Sequence, residues 1–405
     1  MSNRLRFLVL VIVTLIIFYP LLFIFFVQDD FFLLSISKVN TVKNFLEFFI
    51  PRGDVVWYRP LSSQVFFFLN QKLFGLWSFP YHVIQLLTHL LNGYLLIVLS
   101  KQLFKKTTPG FLAAIIYLTN ASHTVSLAWS ATYSFQLGTT FLLLTIIYYL
   151  RKQKILTVIF YFLGLLTSEV LLLTIIILFI IELVYFRKRI SRMLIYIFIS
   201  SIFILARFIL FPSKISGVYR YLINSDIFSN LRFYLFRSFG LPMLIKLYIF
   251  NNTGKLLIIN LLIIVFVGLL FPLFIIKKLE AKNVLFLFLL YFIFLIPFLP
   301  LSYHQAPYYL SFSLVGLSLI LGYFLSSFLK RKTSFLLLIF LISYLSIQFI
   351  SFRLTYNTHW LFQRAYLAKK LVMQGIYQAD VGSEEYFSLG ANSAKKVFEK
   401  INTNE

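Results

Sequence analysis

Runs of apolar residues alternate with short basic clusters along this chain, and that alternation sets the first expectations. Residues 7–27 and 256–276 each form an apolar run, matching the roughly 20 residues that cross a bilayer core as a helix. Only a helix or a closed barrel satisfies the backbone in hydrocarbon, and no barrel-type strand alternation appears, so every long run reads as a helix. The clusters are Arg4/Arg6, Lys101/Lys105/Lys106, Arg151/Lys152/Lys154, Arg187/Lys188/Arg189/Arg192, Lys277/Lys278/Lys282 and Lys330/Arg331/Lys332, with Glu280 the one acid among them. Short loops rich in Lys and Arg stay cytoplasmic. An even number of crossings therefore separates each cluster from the next.

This parity predicts span 1 at 7–27, a long outside loop over 28–79, and span 2 at 80–100. A hairpin between 109 and 150 turns outside near 120–130, and a shorter one between 155 and 186 turns at Thr167, Ser168 and Glu169. Span 7 at 193–211 leads into a second long outside segment, 212–255, and span 8 returns to Lys277. Spans 9 and 10 turn outside at 300–307, and span 11 covers 334–352. The expected architecture is an all-α polytopic membrane protein of about 11 transmembrane helices, with its N-terminus cytoplasmic. A transmembrane domain covers 1–352, and a helical tail, 353–405, lies outside. In the tail, Trp360, Leu361, Arg364, Leu367, Ala368 and Leu371 recur at helical spacing. That pattern predicts an amphipathic helix, lying on the membrane surface or packed against the outside loops.

Composition agrees. Of 405 residues, 60% are apolar, 20% aromatic and 12% charged, with 37 Lys and Arg against 13 Asp and Glu, a net charge of +24. Soluble domains carry about a quarter charged residues. The basic excess sits between apolar runs instead of on a soluble face, so it reads as topology and not as a nucleic-acid surface. With no cysteine, disulfides, thiolate catalysis and cysteine-ligated metals are excluded. The first apolar run exceeds a signal-peptide core and no small-residue cleavage site follows it, so it reads as a retained span.

The scarce polar residues gather at the expected outside ends. Asp29 and Asp30 follow span 1 directly; a carboxylate pair there costs free energy unless solvated or paired, and it either stops the helix or has a task. Arg59, in Tyr58-Arg59-Pro60-Leu61, suits bidentate phosphate binding or snorkelling. His82, Gln85, His89 and Asn92 share one stripe of span 2, as a cavity-facing seam or as hydrogen-bonding glue between helices. His123 lies in the second outside turn, Glu169 in the third, Arg220 and Arg237 in the second long segment, and His304 in the fifth turn. Asp29, Asp30 and His123 leave a divalent metal open as a cofactor. No Walker or Rossmann pattern is present. A carboxylate facing an arginine-lined groove suits a reaction whose leaving group is a lipid-borne phosphate. The Asp acts as general base on an acceptor hydroxyl, and Arg and His stabilise the departing phosphate.

An acid pair after span 1, then Tyr58-Arg59-Pro60-Leu61, then Pro80-Tyr81-His82 opening a span that runs on through Thr88-His89-Leu90-Leu91-Asn92, a His123 turn leading to Ala128-Trp129, and a Ser168-Glu169 hairpin resemble GT-C fold glycosyltransferases. The resemblance is to the branch using polyprenyl- or dolichyl-phosphate sugars, including protein O-mannosyltransferases and their transmembrane-plus-tetratricopeptide relatives. It covers residues 1–190 by motif and 291–352 more loosely. It implies that Asp29 or Asp30 is the catalytic base, that Arg59 and His89 support the first loop, and that Glu169 belongs to the polar site. The wider substrate-binding set is Arg59, His82, His89, His123, Glu169, Arg220, Arg237 and His304. The implied partners are a polyprenyl-phosphate-sugar donor, membrane lipids and an extracytoplasmic acceptor, at the outer face of a prokaryotic plasma membrane. The chain departs from the pattern at Val125, Ser168 and Pro307, where relatives often carry Glu, Lys and Arg, and no tetratricopeptide array follows span 11. Two other readings stay open: a transporter or flippase for a lipid-linked or anionic solute, and a non-catalytic relative.

Overall fold

The computed structural model describes residues 2–52, 57–186, 190–210, 219–242, 281–329 and 334–373. The basic cluster at 187–189, the span expected at 256–276, the cluster at 330–332, Asp54 and the tail beyond 373 lie outside the described residues. The described chain is helical, with no strand among those residues. It is an integral membrane protein. Among the described residues, six helices are long and apolar enough to cross a bilayer: Arg4–Phe23, Ser78–Phe104, Ser130–Leu150, Glu169–Phe186, Ser191–Leu210 and Ser334–Thr358. A seventh span, Thr108–Thr119 with Ala121–Ala128, is bent by 44°. Three further apolar helices, Lys154–Leu165, Lys282–Phe298 and Ser313–Leu329, are shorter. At about 1.5 Å per residue, the first of these falls well short of a bilayer core, in line with the brevity expected of that hairpin.

The bend in the seventh span has a local cause. Asn120 adopts an extended conformation (ψ 123°), which stops the helix, and its side-chain oxygen accepts the Ser122 N–H at 2.9 Å to start the next turn. The Ala121 N–H donates to the Gln348 side-chain oxygen at 2.9 Å, so the broken backbone finds a partner inside the protein, as a helix break at membrane depth requires.

The centre of the bundle is α1 (Ser78–Phe104), α2 (Thr108–Thr119), α3 (Ser134–Leu150) and α4 (Ser313–Ser326), with α2 packed between α1 and α4. Small residues set the spacing. A Cβ on Gly110 would lie 2.6 Å from the Ile97 Cα, and one on Gly322 would collide with the Pro109 carbonyl and the Ala113 amide. Backbones meet backbones at both points, which is how helices associate where water supplies no driving force.

Around one end of this bundle the first loop folds into its own apolar cluster, where Phe26, Phe31, Leu34, Phe66, Phe67 and Tyr81 are buried together with Tyr133 and Ala368. Ala368 comes from α5 (Trp360–Met373), the amphipathic helix expected in the tail. Its Leu361, Phe362, Ala365 and Ala368 are buried, and Trp360 meets Trp129 edge-on at 5.7 Å. Of the two placements open from sequence, packing against the loops is the one found. Glu182 is buried, accepting from the Tyr149 hydroxyl at 2.7 Å with Arg192 3.8 Å away.

Candidate active site

Adjacent carboxylates at the start of the loop helix Asp29–Ile36 do different things, because successive positions on a helix point about 100° apart. Asp30 is buried, and its oxygens accept the Val27 N–H at 3.0 Å and the Ala131 N–H at 2.7 Å. It ties the loop to the turn after the bent span. Burial pushes its carboxyl up, and the two N–H bonds oppose that rise. Asp29 is half-buried and makes no hydrogen bond or ion pair to the described residues. Desolvation pushes it up to about 6, into the range suited to a general base near neutral pH. Gln28, just before it, holds φ at +52° and ψ at −115°, a conformation costing about 1–3 kcal/mol for a residue with a side chain.

Arg59 is the second element. Its guanidinium lies over the Trp57 ring at 4.9 Å and the Phe135 ring at 5.7 Å, and its buried Nε has no hydrogen-bond partner among the described residues. A guanidinium held by ring faces leaves its fork of N–H donors for an anion. Burial lowers its proton affinity and the neighbouring Glu169 raises it again.

Tyrosines close the site. Tyr219 and Tyr308 each lie within reach of the charges of both Asp29 and Arg59. Burial raises both hydroxyls, Asp29 raises them further and Arg59 lowers them. Tyr309 hydrogen-bonds the His304 Nδ1 at 2.8 Å, and the His304 ring lies 4.8 Å from that of Tyr219. These residues come from the turn at 300–310, where Pro307 opens the 3-10 helix Pro307–Leu310 that presents both tyrosines.

Glu169 stands behind Arg59. Its Oε1 accepts the Tyr58 N–H at 3.0 Å and is ion-paired with the Arg207 Nε. The first loop is further fastened to this turn by the Leu61 N–H on the Leu166 carbonyl and the Ser62 hydroxyl on the Thr167 carbonyl.

Thus Asp29, Arg59, Glu169 and His304 lie in one neighbourhood, linked through Tyr219, Tyr308 and Tyr309. The others do not. His82 places its ring nitrogens 2.9 Å from the Ile24 carbonyl and 3.3 Å from that of Leu127. Gln85 donates to Ser130, and Asn92 donates to the Gln136 carbonyl while accepting from Thr140. The polar stripe of span 2 is therefore interhelical glue and not a cavity seam. His89 bonds the Leu118 carbonyl and stacks near His123, with ring centroids 4.6 Å apart. Arg237, buried, places its guanidinium on the Leu241 carbonyl and Ser351, and burial pushes it down to about 10. Arg220 is exposed. Asp29, Asp30 and His123 do not form a ligand cluster: among the described residues no group of three or more His, Asp or Glu comes together. Sequence reasoning passed over Arg207, a lone cation in an apolar run, although such a residue is itself a signal. It also passed over Trp57, Tyr219, Tyr308 and Tyr309.

This bundle of broken and short spans with its folded first loop is a fold that a solved membrane-protein structure shares. The whole-chain likeness that shows it is to the crystal structure of ArnT from Cupriavidus metallidurans bound to undecaprenyl phosphate, with a TM-score of 0.50, 14% sequence identity, and 98% of this chain and 76% of that one covered. No protein-family model and no curated protein matches the sequence.

Proposed function

We propose that the protein is an integral-membrane inverting glycosyltransferase that moves a sugar from a polyprenyl-phosphate carrier to an acceptor at the extracytoplasmic face. The carrying observation is a proton-attracting Asp29 with no hydrogen bond or ion pair among the described residues and an Arg59 whose buried Nε has no partner among them, with Tyr219 and Tyr308 within reach of both charges. The ligand in the ArnT crystal structure, undecaprenyl phosphate, supports the same class of carrier here.

Asp29 takes the proton from the acceptor hydroxyl as its oxygen attacks the anomeric carbon. The bond from that carbon to the phosphate oxygen breaks, its electron pair stays on the phosphate, and Arg59 stabilises the added charge. One displacement inverts the anomeric centre. Asp30 holds the loop, and His304 with Tyr309 shapes the far wall. The charged groups gather at one end of the bundle instead of the midplane where transporters bind, which favours the enzyme. By the basic clusters that end is extracytoplasmic, the N-terminus is cytoplasmic, and the membrane is a prokaryotic plasma membrane.

The test is transfer by the purified protein from radiolabelled polyprenyl-phosphate hexose to acceptors extracted from the cell envelope. Transfer by the wild type, and its loss in Asp29→Asn with normal insertion, is the expected result. Full activity in that variant rejects Asp29 as the base, and absence of donor consumption by the wild type rejects the reading as a whole.

A further inference from the structure

Glu169 and Arg207 are each less than a tenth exposed, at the ends of two different spans. An ion pair taken out of water is expensive, and two apolar side chains of the same size often fold as well. Its retention suggests a task, and its contacts show which. The same Glu169 oxygen that pairs with Arg207 also accepts the backbone N–H of Tyr58, the residue immediately before Arg59. On the other side of Arg59, Leu61 and Ser62 are bonded to the backbone at Leu166 and Thr167. The backbone around Arg59 is thus clamped at both sides, while its guanidinium rests on rings and its Nε has no partner among the described residues. Such a side chain takes its position from the chain that carries it. Glu169 pairs directly with Arg207 and acts on Arg59 only through its charge.

We infer that the Glu169–Arg207 pair is a positioning device for Arg59: it fixes the Tyr58 amide so that the Arg59 guanidinium meets the phosphate of the lipid-linked donor. This rests on the glycosyltransferase reading above. Because Arg207 lies in the π-helical turn Leu205–Leu210 at the end of its span, the device ties the donor site to the placement of that helix. Proton abstraction belongs to Asp29 and is outside its reach.

The test compares the full-length wild type with Glu169→Gln, Arg207→Lys and the double variant Glu169→Gln/Arg207→Met, all in phospholipid nanodiscs with polyprenyl-phosphate hexose as donor. The double variant leaves no lone buried ion, which guards against simple misfolding. Misplacement of Arg59 raises KM for the donor roughly tenfold to a hundredfold, while the acid limb of kcat, set by Asp29 near pH 6, stays where it is. Arg207→Lys restores part of the affinity. A fall in kcat with KM unchanged, or a displaced acid limb, overturns the proposal. Hydrogen exchange of the backbone amides of residues 57–59 supplies an independent arm, quickening in the double variant whether or not transfer is seen. Unchanged exchange sinks the positioning device alone; absence of transfer in the wild type sinks the function and leaves the exchange result standing.

Discussion

Replacing Asp29 by Asn separates stability from activity in opposite directions. Burial raises the Asp29 carboxyl from 3.8 to about 6. At about 1.36 kcal/mol per unit this is about 3 kcal/mol of preference for the neutral form, and solvent reaching a half-buried group lowers it to about 2 kcal/mol. The sign follows from linkage. A carboxyl whose folded value lies above its unfolded one is fully tolerated below pH 3.8, and its contribution is lost as pH rises to about 6. An amide imitates the neutral form at every pH. The Asp29→Asn variant is therefore expected to match the wild type near pH 3.5, to pull ahead through that window, and to be more stable by about 2 kcal/mol at pH 7.5. Transfer falls by about 100-fold to 10,000-fold, the usual loss of a general base. Apparent melting in detergent across pH 3.5–8 and donor turnover on the same preparations give both readings. A variant less stable than the wild type at pH 7.5, or wild-type turnover that stays flat down to pH 4.5, refutes a desolvated Asp29 base.

Asp30→Ala, one position on, leaves the Val27 and Ala131 amides without their acceptor, and about 1–3 kcal/mol per buried orphan is expected; a melting temperature equal to that of the wild type contradicts the anchoring role. Arg59→Lys replaces a planar fork by a point charge over the Trp57 and Phe135 rings, so KM for the lipid donor rises by about tenfold, or roughly 1.4 kcal/mol, as initial rate against donor concentration will show. Gly322→Ala drives a methyl into the Pro109 carbonyl and the Ala113 amide, costing about 1–3 kcal/mol in apparent stability; a neutral result would mean that the two helices stand further apart.

Much of this was legible in the sequence, for physical reasons. Apolar runs of membrane length have few other uses, which is why the runs at 7–27, 80–100 and 334–352 stood out; the helices found there are Arg4–Phe23, Ser78–Phe104 and Ser334–Thr358. Asp29, Arg59, Glu169 and His304 were readable as one site because scarce polar groups at span ends need partners or water. The different fates of Asp29 and Asp30 were not readable, since they depend on which of two adjacent side chains faces the Val27 and Ala131 amides. His82, His89 and Asn92 misled in the opposite way, because a polar stripe on a helix looks the same whether it lines a cavity or meets carbonyls on a neighbour. Tyrosines are common in this chain, and nothing in the order of residues separates Tyr219, Tyr308 and Tyr309 from the rest. Their role comes from a turn that brings distant segments to Asp29.

The seating of the C-terminal helix on the first-loop cluster, with Ala368 among Phe26, Phe31 and Tyr133, has a consequence for biogenesis. A ribosome delivers residues 29–59 into the translocon some three hundred positions before the segment that covers them. The nascent loop must wait beside its future partner helices, apolar side chains uncovered, until 360–368 emerge. Chains halted before that point should insert normally yet leave this cluster uncovered and be recognised by membrane proteases, so that quality control in the cell reads the arrival of residues 360–368 and the closing of this end of the bundle as one event.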